Sequence, residues 1–474
     1  MLFMKFKEII SDQYFKHLIL LIIIGSILRL YNIGFNSLWL DEASTNTFAL
    51  MSIPNIWNAT IGGEFNPPLF YWLEHFIIIL QNSETTLRLI PAICGILTIP
   101  AIYYAGKEFL DHNIGIISAA AFTFSPFLIS YSQEARAYSM MLFFITLSMI
   151  FYFKAMKNNT APDWCLFGMF SALAFWTHFY AFVIFASLII YTILNLILNQ
   201  DKNFHNIKLI SLPIIVFTIL CSPLILMAIK LFTLRTSSTP TFGMQGLNII
   251  TETFYQISGS SEISMFLFSI LFIIGIVGLL FNNKEKGSFL IITTIIVFII
   301  SFILSYKMPM VPKYLIFFNI IFFIGIASSY KILYLYIKNP KIIYGIMALF
   351  VIISAPNLVN YYSNQSKTDW RGFSSQIQNI TNDGDIIVLL PGYLYQPFDY
   401  YYSNSSDKTL ELMATYQKEL DQINIDYQNN TIYFIITDDL LSANPDGTSL
   451  AWIKKYTKSA LTYNNIYTFK RNFK

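Results

Sequence analysis

Three short stretches of this sequence set ionisable residues beside long apolar runs, where charge is costly and tends to mark function. The first, residues 34–66, contains LWLDEAST, with Asp41 and Glu42 adjacent, and GGEFNPPL, with Glu64 and Asn66. The second is YSQEARAY at 131–138, with Glu134 and Arg136, and the third is MPMVPKYLIFF, with Lys313 and Tyr314. Carboxylates and cations in company suit glycosyl transfer to a hydroxyl. A carboxylate takes the acceptor proton, and cations hold the charge that develops on a departing lipid phosphate. Asp41 then serves as the base, with Arg136 and Lys313 holding phosphate, Arg through its planar fork and Lys as a point charge. Plainer readings stand beside these. Acids favour a helix N-terminus, which accounts for Asp41 and Glu42, and Glu134 and Arg136 can pair with each other across a turn. Arg88 can snorkel from a span to the interface. His178, in WTHFY, reads either as a site residue or as a locally bonded polar group.

The elements that must position these residues are mostly membrane helices. The chain has 474 residues, 55% of them hydrophobic and 12% charged, with a mean hydropathy of +0.55. Soluble domains carry roughly 25% charged residues, so most of this chain belongs in lipid. Eleven segments approach the length of a crossing, at about 17–33, 86–105, 113–131, 137–156, 162–177, 179–198, 208–230, 263–281, 287–306, 313–329 and 342–358. The first has no small-residue cleavage site after it and reads as an uncleaved anchor. A twelfth, 67–82, is short, opens with Pro67-Pro68 and carries Glu74 and His75, so it is expected to lie along the interface or re-enter. Leaving it out puts Lys5, Lys7, Lys16, Lys107, Lys154, Lys157, Lys202, Lys208, Lys284, Lys286, Lys331, Lys338 and Lys341 on one side, the cytoplasmic signature. The N-terminus is then cytoplasmic and the last 115 or so residues emerge outside.

That tail changes character. Strand-like runs at 385 (DIIVLLP), 431 (TIYFIIT) and 465 (NIYTFKR) alternate with helical ones near 370–380 and 449–460, which suggests a small α/β module. The expected organisation is a transmembrane domain over 1–359, with an outer catalytic loop at 34–85, and a soluble extracytoplasmic α/β domain over 360–474. No GxGxxG or GxxxxGK follows a strand, so a lipid-linked donor fits better than a nucleotide sugar. A net charge of +3 without a basic run excludes nucleic acid as a partner. Cys94, Cys165 and Cys221 lie apart in apolar runs and imply neither a disulfide framework nor a zinc site.

At these residues the chain resembles a known family. LWLDEA after the first span, the acidic-x-Asn-Pro-Pro-Leu lead-in to an amphipathic helix, SETTLRLIPAICGILTIPAIYYAGK, SPFLISYSQEARAYSM, WTHFY and PKY are together similar to family 39-type, GT-C fold glycosyltransferases. These include the protein O-mannosyltransferases and, more distantly, the lipid A aminoarabinose transferase. The resemblance covers roughly residues 15–330 and implies a polytopic α-helical membrane protein of GT-C type, with about eleven transmembrane helices plus juxtamembrane helices. It further implies an inverting transferase that moves a sugar from a dolichyl- or undecaprenyl-phosphate donor to a hydroxyl of a glycan, lipid or protein on the outer face of the cell membrane.

On that model Asp41, Glu42 and Glu134 are catalytic, Arg136, Lys313 and Tyr314 bind the donor phosphate, and Glu64, Asn66 and His178 bind substrate. The helix after Pro67-Pro68 is juxtamembrane. Glu64-Phe65-Asn66-Pro67-Pro68 stands where the family commonly has Asp-x-His-Pro-Pro, and Lys313-Tyr314 where it has Arg-Tyr. No two tryptophans are adjacent, which disfavours en bloc oligosaccharide transfer to asparagine. Asp41, Glu42, Glu64 and Glu134 leave room for a divalent cation, but no spacing enforces a site, so no obligatory metal or cofactor is expected. The competing expectation is a transporter or flippase of lipid-linked sugars, which calls for mid-membrane polar residues and broken helices repeated in two halves.

Overall fold

A computed structural model of the chain describes residues 13–199, 207–237, 239–240, 242–402 and 409–471. Lys5, Lys7 and Lys202 of the basic set lie outside the described residues. The chain divides into two compact units. The first comprises Met1–Tyr31, Ser52–Leu80 and Thr86–Tyr362, and the second Asn32–Met51, Gln81–Thr85 and Ser363–Lys474.

The first unit is helical because backbone in lipid must satisfy its own hydrogen bonds. Among the described residues eight helices are long and apolar enough to cross a membrane: Gln13–Leu30, Glu84–Phe109, Tyr138–Asn158, Leu209–Thr236, Glu262–Asn282, Lys284–Ser305, Phe318–Ile337 and Ile342–Ser363. A ninth arises if His112–Phe124 and Pro126–Ser132, bent by 64°, count as one. All eleven expected segments form helix, but Ala161–Thr177, with 17 residues, and the apolar stretch Ala181–Ile197 fall short of that length. The twelfth segment gives the helix Leu69–Ile77, whose 9 residues extend about 14 Å, half or less of a hydrocarbon core. Glycines let the long helices close on one another. A Cβ at Gly275 would stand 1.9 Å from the carbonyl oxygen of Gly325, and one at Gly106 would stand 2.8 Å from Cα of Gly115.

The 64° break has an identifiable cause. Pro126 has no N–H, so the Phe122 carbonyl loses its helical donor. Arg29, fully buried at the end of Gln13–Leu30, supplies the substitute: Nη2 donates to Phe122 O at 3.1 Å and Nη1 to Thr123 O at 3.3 Å. Gly95 leaves room for this, since a Cβ there would meet Ser132 Oγ at 2.3 Å and Arg29 Nε at 3.0 Å. Beyond the break, Gln133 Nε2 donates to the carbonyls of Arg29 (3.1 Å) and Tyr31 (2.8 Å), and its Oε1 accepts from Tyr361 OH at 2.9 Å. The turn that carries Glu134 and Arg136 is therefore anchored to the first and last crossing helices.

The second unit is an α/β module around a five-stranded sheet in the order β2-β1-β3-β5-β4, with β1 Ile386–Leu390, β2 Leu410–Met413, β3 Ile432–Thr437, β4 Lys458–Tyr463 and β5 Ile466–Arg471. β1 is parallel to β2 and β3, while β5 runs antiparallel to β3 and β4. Side chains alternate across a strand. Ile386, Val388, Leu390, Phe434 and Ile436 pack on one face with Leu420, Trp452 and Ile453. Ile387, Leu389, Tyr433 and Ile435 pack on the other with Trp370, Phe373 and Phe398. The three strand-like runs read from sequence are β1, β3 and β5. The helical run expected to 460 ends at Tyr456, and the residues after it form β4. The boundary near 360 falls between Tyr362 and Ser363, and the unit also takes in two pieces of the first loop. One of them, the helix Leu40–Ala49, packs on Tyr395–Tyr402.

Candidate active site

The first unit gathers most of the expected site residues. Glu64 and Asn66 leave the helix Ile53–Gly62 through Gly63, whose φ of +135° only glycine adopts without strain. Asn66 Nδ2 donates to Glu64 Oε1 at 2.6 Å, and Tyr71 OH donates to the same oxygen at 2.9 Å. Burial and then the Glu64 charge push the Tyr71 phenol well above its ordinary range, so it remains a donor, and Arg136 opposes that rise. Arg136 is thus within electrostatic reach of the Glu64–Tyr71 pair.

Arg136 and Glu134 are 8% and 7% exposed, in a turn closed by a 2.6 Å bond from the Arg136 N–H to the Glu134 carbonyl. His178 sits where Ala161–Thr177 ends, 4% exposed. Burial first, then the charges of Arg136 and Lys313, lower its pKa to about 3, so the imidazole is neutral and two cations flank it. Aromatic rings pack around His178. Tyr314 lies 5.4 Å from His178 and 4.7 Å from Tyr180 between centroids, and Lys313 Nζ stands 5.3 Å above the Tyr138 ring. Tyr180 OH donates to the Pro309 carbonyl.

Two further residues join this group without having been singled out from sequence. Arg235, in the last turn of Ile207–Thr236, places its guanidinium 3.8 Å from the Phe65 ring centroid, and its charge acts on Tyr180. An Arg at the end of a span looks like an ordinary interfacial anchor, so only the fold distinguishes it. Tyr71 was masked in the same way by the aromatic abundance of the chain.

Asp41 and Glu42 lie in the second unit, in the first turn of Leu40–Ala49. Asp41 is half-buried and Glu42 fully buried, its Oε2 2.9 Å from Lys367 Nζ. The loop before them is tied to the C-terminal chain. Ser37 Oγ donates to Thr368 O at 2.8 Å, Leu38 N donates to Tyr401 OH at 2.7 Å, and Tyr401 OH donates to Glu84 Oε1 at 2.9 Å. Arg371 donates to the same Glu84 oxygen at 2.7 Å and to Gly34 O at 3.0 Å. Burial alone would lower the Arg371 pKa, but Glu84 more than offsets it and the net shift is upward. Among the described residues no three His, Cys, Asp or Glu side chains are grouped to hold a metal, and Cys94, Cys165 and Cys221 are free thiols.

Residues 66–226, about a third of the chain, match the family model described as dolichyl-phosphate-mannose-protein mannosyltransferase. The fold is similar to that of ArnT from Cupriavidus metallidurans in the apo state, with a TM-score of 0.64 at 10% identity, covering 95% of this chain and 97% of that one. The chain has the GT-C membrane fold. ArnT bound to undecaprenyl phosphate gives a TM-score of 0.62 at 9% identity, over 95% and 97% of the two chains. The archaeal oligosaccharyltransferase AglB from Archaeoglobus fulgidus, in complex with an inhibitory peptide and a dolichol-phosphate, gives 0.56 at 12% identity, over 98% of this GT-C chain and 75% of that one. No curated protein matches by sequence. Within the family match fall Asn66, Glu134, Arg136 and His178, whereas Asp41, Glu42 and Lys313 lie outside it.

Proposed function

We propose that this GT-C protein transfers a sugar, with inversion, from a polyprenyl-phosphate donor to a hydroxyl on a glycan, lipid or protein at the outer face of the membrane. The observation that carries the reading is the set of cations in the first unit: Arg136 is buried, Lys313 lies over the Tyr138 ring that packs on the buried His178, and Arg235 lies over the Phe65 ring. Such a concentration of positive charge favours an anion, and a lipid phosphate is the anion a membrane enzyme of this fold meets. The ligands named for ArnT and AglB, undecaprenyl phosphate and dolichol-phosphate, support that choice.

In the proposed step Asp41 accepts the acceptor hydroxyl proton as its oxygen attacks the anomeric carbon. The bond from that carbon to the phosphate oxygen breaks, and the polyprenyl phosphate leaves with an added negative charge. Arg136, Lys313 and Tyr314, joined by Arg235, hold that charge. Glu64, bonded to Asn66 and Tyr71, receives sugar or acceptor hydroxyls, and His178 and Glu134 are assigned to the same work. Side chains supply both proton acceptance and phosphate stabilisation, so the step needs no obligatory metal. The N-terminus is assigned to the cytoplasm and the C-terminal unit to the outside, following the lysine bias.

The test is transfer from labelled undecaprenyl- and dolichyl-phosphate sugars in right-side-out and inverted vesicles. Asp41→Asn is expected to lower kcat by about 10³-fold while the protein stays folded and still binds donor, the scale of a lost general base. Full activity in Asp41→Asn removes Asp41 from the mechanism, and consumption of donor only from the cytoplasmic face reverses the orientation.

A further inference from the structure

Lys367 follows the last membrane-crossing helix, Ile342–Ser363, and lies in the same unit as the loop that carries Asp41 and Glu42. Its Nζ is 2.9 Å from Glu42 Oε2, with the two side chains 14% and 0% exposed. A carboxylate with no exposed surface stays ionised only when a partner of opposite charge compensates its lost hydration. Glu42 is the residue next to Asp41, in the first turn of a helix whose N-cap position, Trp39, supplies no side-chain cap. Adjacent helical residues stand about 100° apart around the axis, so fixing Glu42 also fixes the direction of Asp41. The chain around Lys367 is held to the same loop: Ser366 N donates to Asn36 Oδ1 at 3.0 Å, and Trp370 N donates to Ser37 Oγ at 3.1 Å. These bonds place the loop, and the ion pair reaches the helix itself.

Resting on the reading of Asp41 as base, we propose that Lys367 is a positioning residue: its ion pair with Glu42 sets the orientation of Leu40–Ala49, and hence of Asp41, for transfer. The acidic pair then divides its work. Asp41 takes the proton, and Glu42 is the handle by which the C-terminal unit holds Asp41 in place. The second unit takes part in the reaction through this contact.

The experiment compares Lys367→Met, Lys367→Arg, the swap Glu42→Lys with Lys367→Glu, and Asp41→Asn, each in the full chain in nanodiscs. Amide exchange over 40–46 is read alongside kcat and donor KM with labelled undecaprenyl- and dolichyl-phosphate mannose. Lys367→Met is expected to quicken exchange in 40–46 about tenfold and to lower kcat about 50-fold with donor KM within about twofold. Lys367→Arg and the charge swap are expected to recover most of both. Wild-type exchange and kcat in Lys367→Met, with Asp41→Asn inactive, overturn the inference and leave the base assignment standing. A folded charge swap as impaired as Lys367→Met also overturns it, and that variant decides the matter if Lys367→Met does not fold. Loss of kcat together with general melting and loss of donor binding would assign the pair to holding the fold, against the proposal. Wild-type activity in Asp41→Asn removes the base reading and this inference together.

Discussion

At His178, burial and two cations all disfavour the imidazolium, lowering the pKa from 6.5 to about 3. The unfolded chain binds a proton below pH 6.5 that the folded protein does not take up until about pH 3. Stability is therefore expected to fall as the pH drops through this window, with His178 contributing a slope of about 1.4 kcal/mol per pH unit. His178→Asn should show a shallower acid-side decline in thermal midpoint, measured in detergent between pH 6.5 and 4. An identical slope in both proteins would mean that His178 is not held neutral. Tyr71 offers a second residue-level test. Tyr71→Phe removes a donor to the Glu64 carboxylate, and loss of a hydrogen bond to a charged group, about 1.5–3 kcal/mol, should lower kcat/KM by roughly ten- to a hundredfold with little change in fold. Steady-state kinetics checks this, and wild-type kcat/KM would take Glu64 out of the site.

The elements show how charge inside a membrane protein can serve architecture alone. Arg29 caps the carbonyls of Phe122 and Thr123 at the break before Pro126. Arg29→Met would leave buried acceptors unsatisfied, at about 1–3 kcal/mol each. Pro126→Ala restores the missing N–H, so it should suppress part of the Arg29→Met loss in a double-mutant cycle of thermal stability. Strict additivity would show that the two residues act independently. The tight approach of Glu262–Asn282 to Phe318–Ile337 gives another expectation. Gly275→Ala, whose Cβ would stand 1.9 Å from the Gly325 carbonyl oxygen, must push the helices apart and should lower the thermal midpoint. Gly345→Ala, where nothing lies within 4 Å, is the control that should not.

At the scale of the whole molecule, the division into two units separates the proposed phosphate holders from the proposed base. A chain ending at Tyr362 retains Arg136, Lys313 and Arg235 and should still bind undecaprenyl phosphate. It loses Lys367 and Arg371, the partners of Glu42 and Glu84, and should not transfer sugar. Lipid-binding and transfer assays on the same preparation separate the two effects, and intact transfer would make the C-terminal unit dispensable.

Much of the architecture is local and so was legible in the residues. Apolar runs of crossing length must become helix, because lipid offers the backbone no other partner. Pro67-Pro68 and a short apolar run made Leu69–Ile77 too brief to cross, and the β-rich runs at 385, 431 and 465 became β1, β3 and β5. The short edge strand β2 and the exposed β4 were missed because their burial patterns carry little apolar alternation. The acids and cations worth attention were visible as charges amid apolar sequence. Their partners were not. Glu42 and Lys367 are separated by 325 positions, Tyr401 and Glu84 by 317, and Arg29 and Phe122 by 93. No local pattern encodes such pairs; they follow from the packing of whole helices and of the sheet, which only the tertiary structure decides.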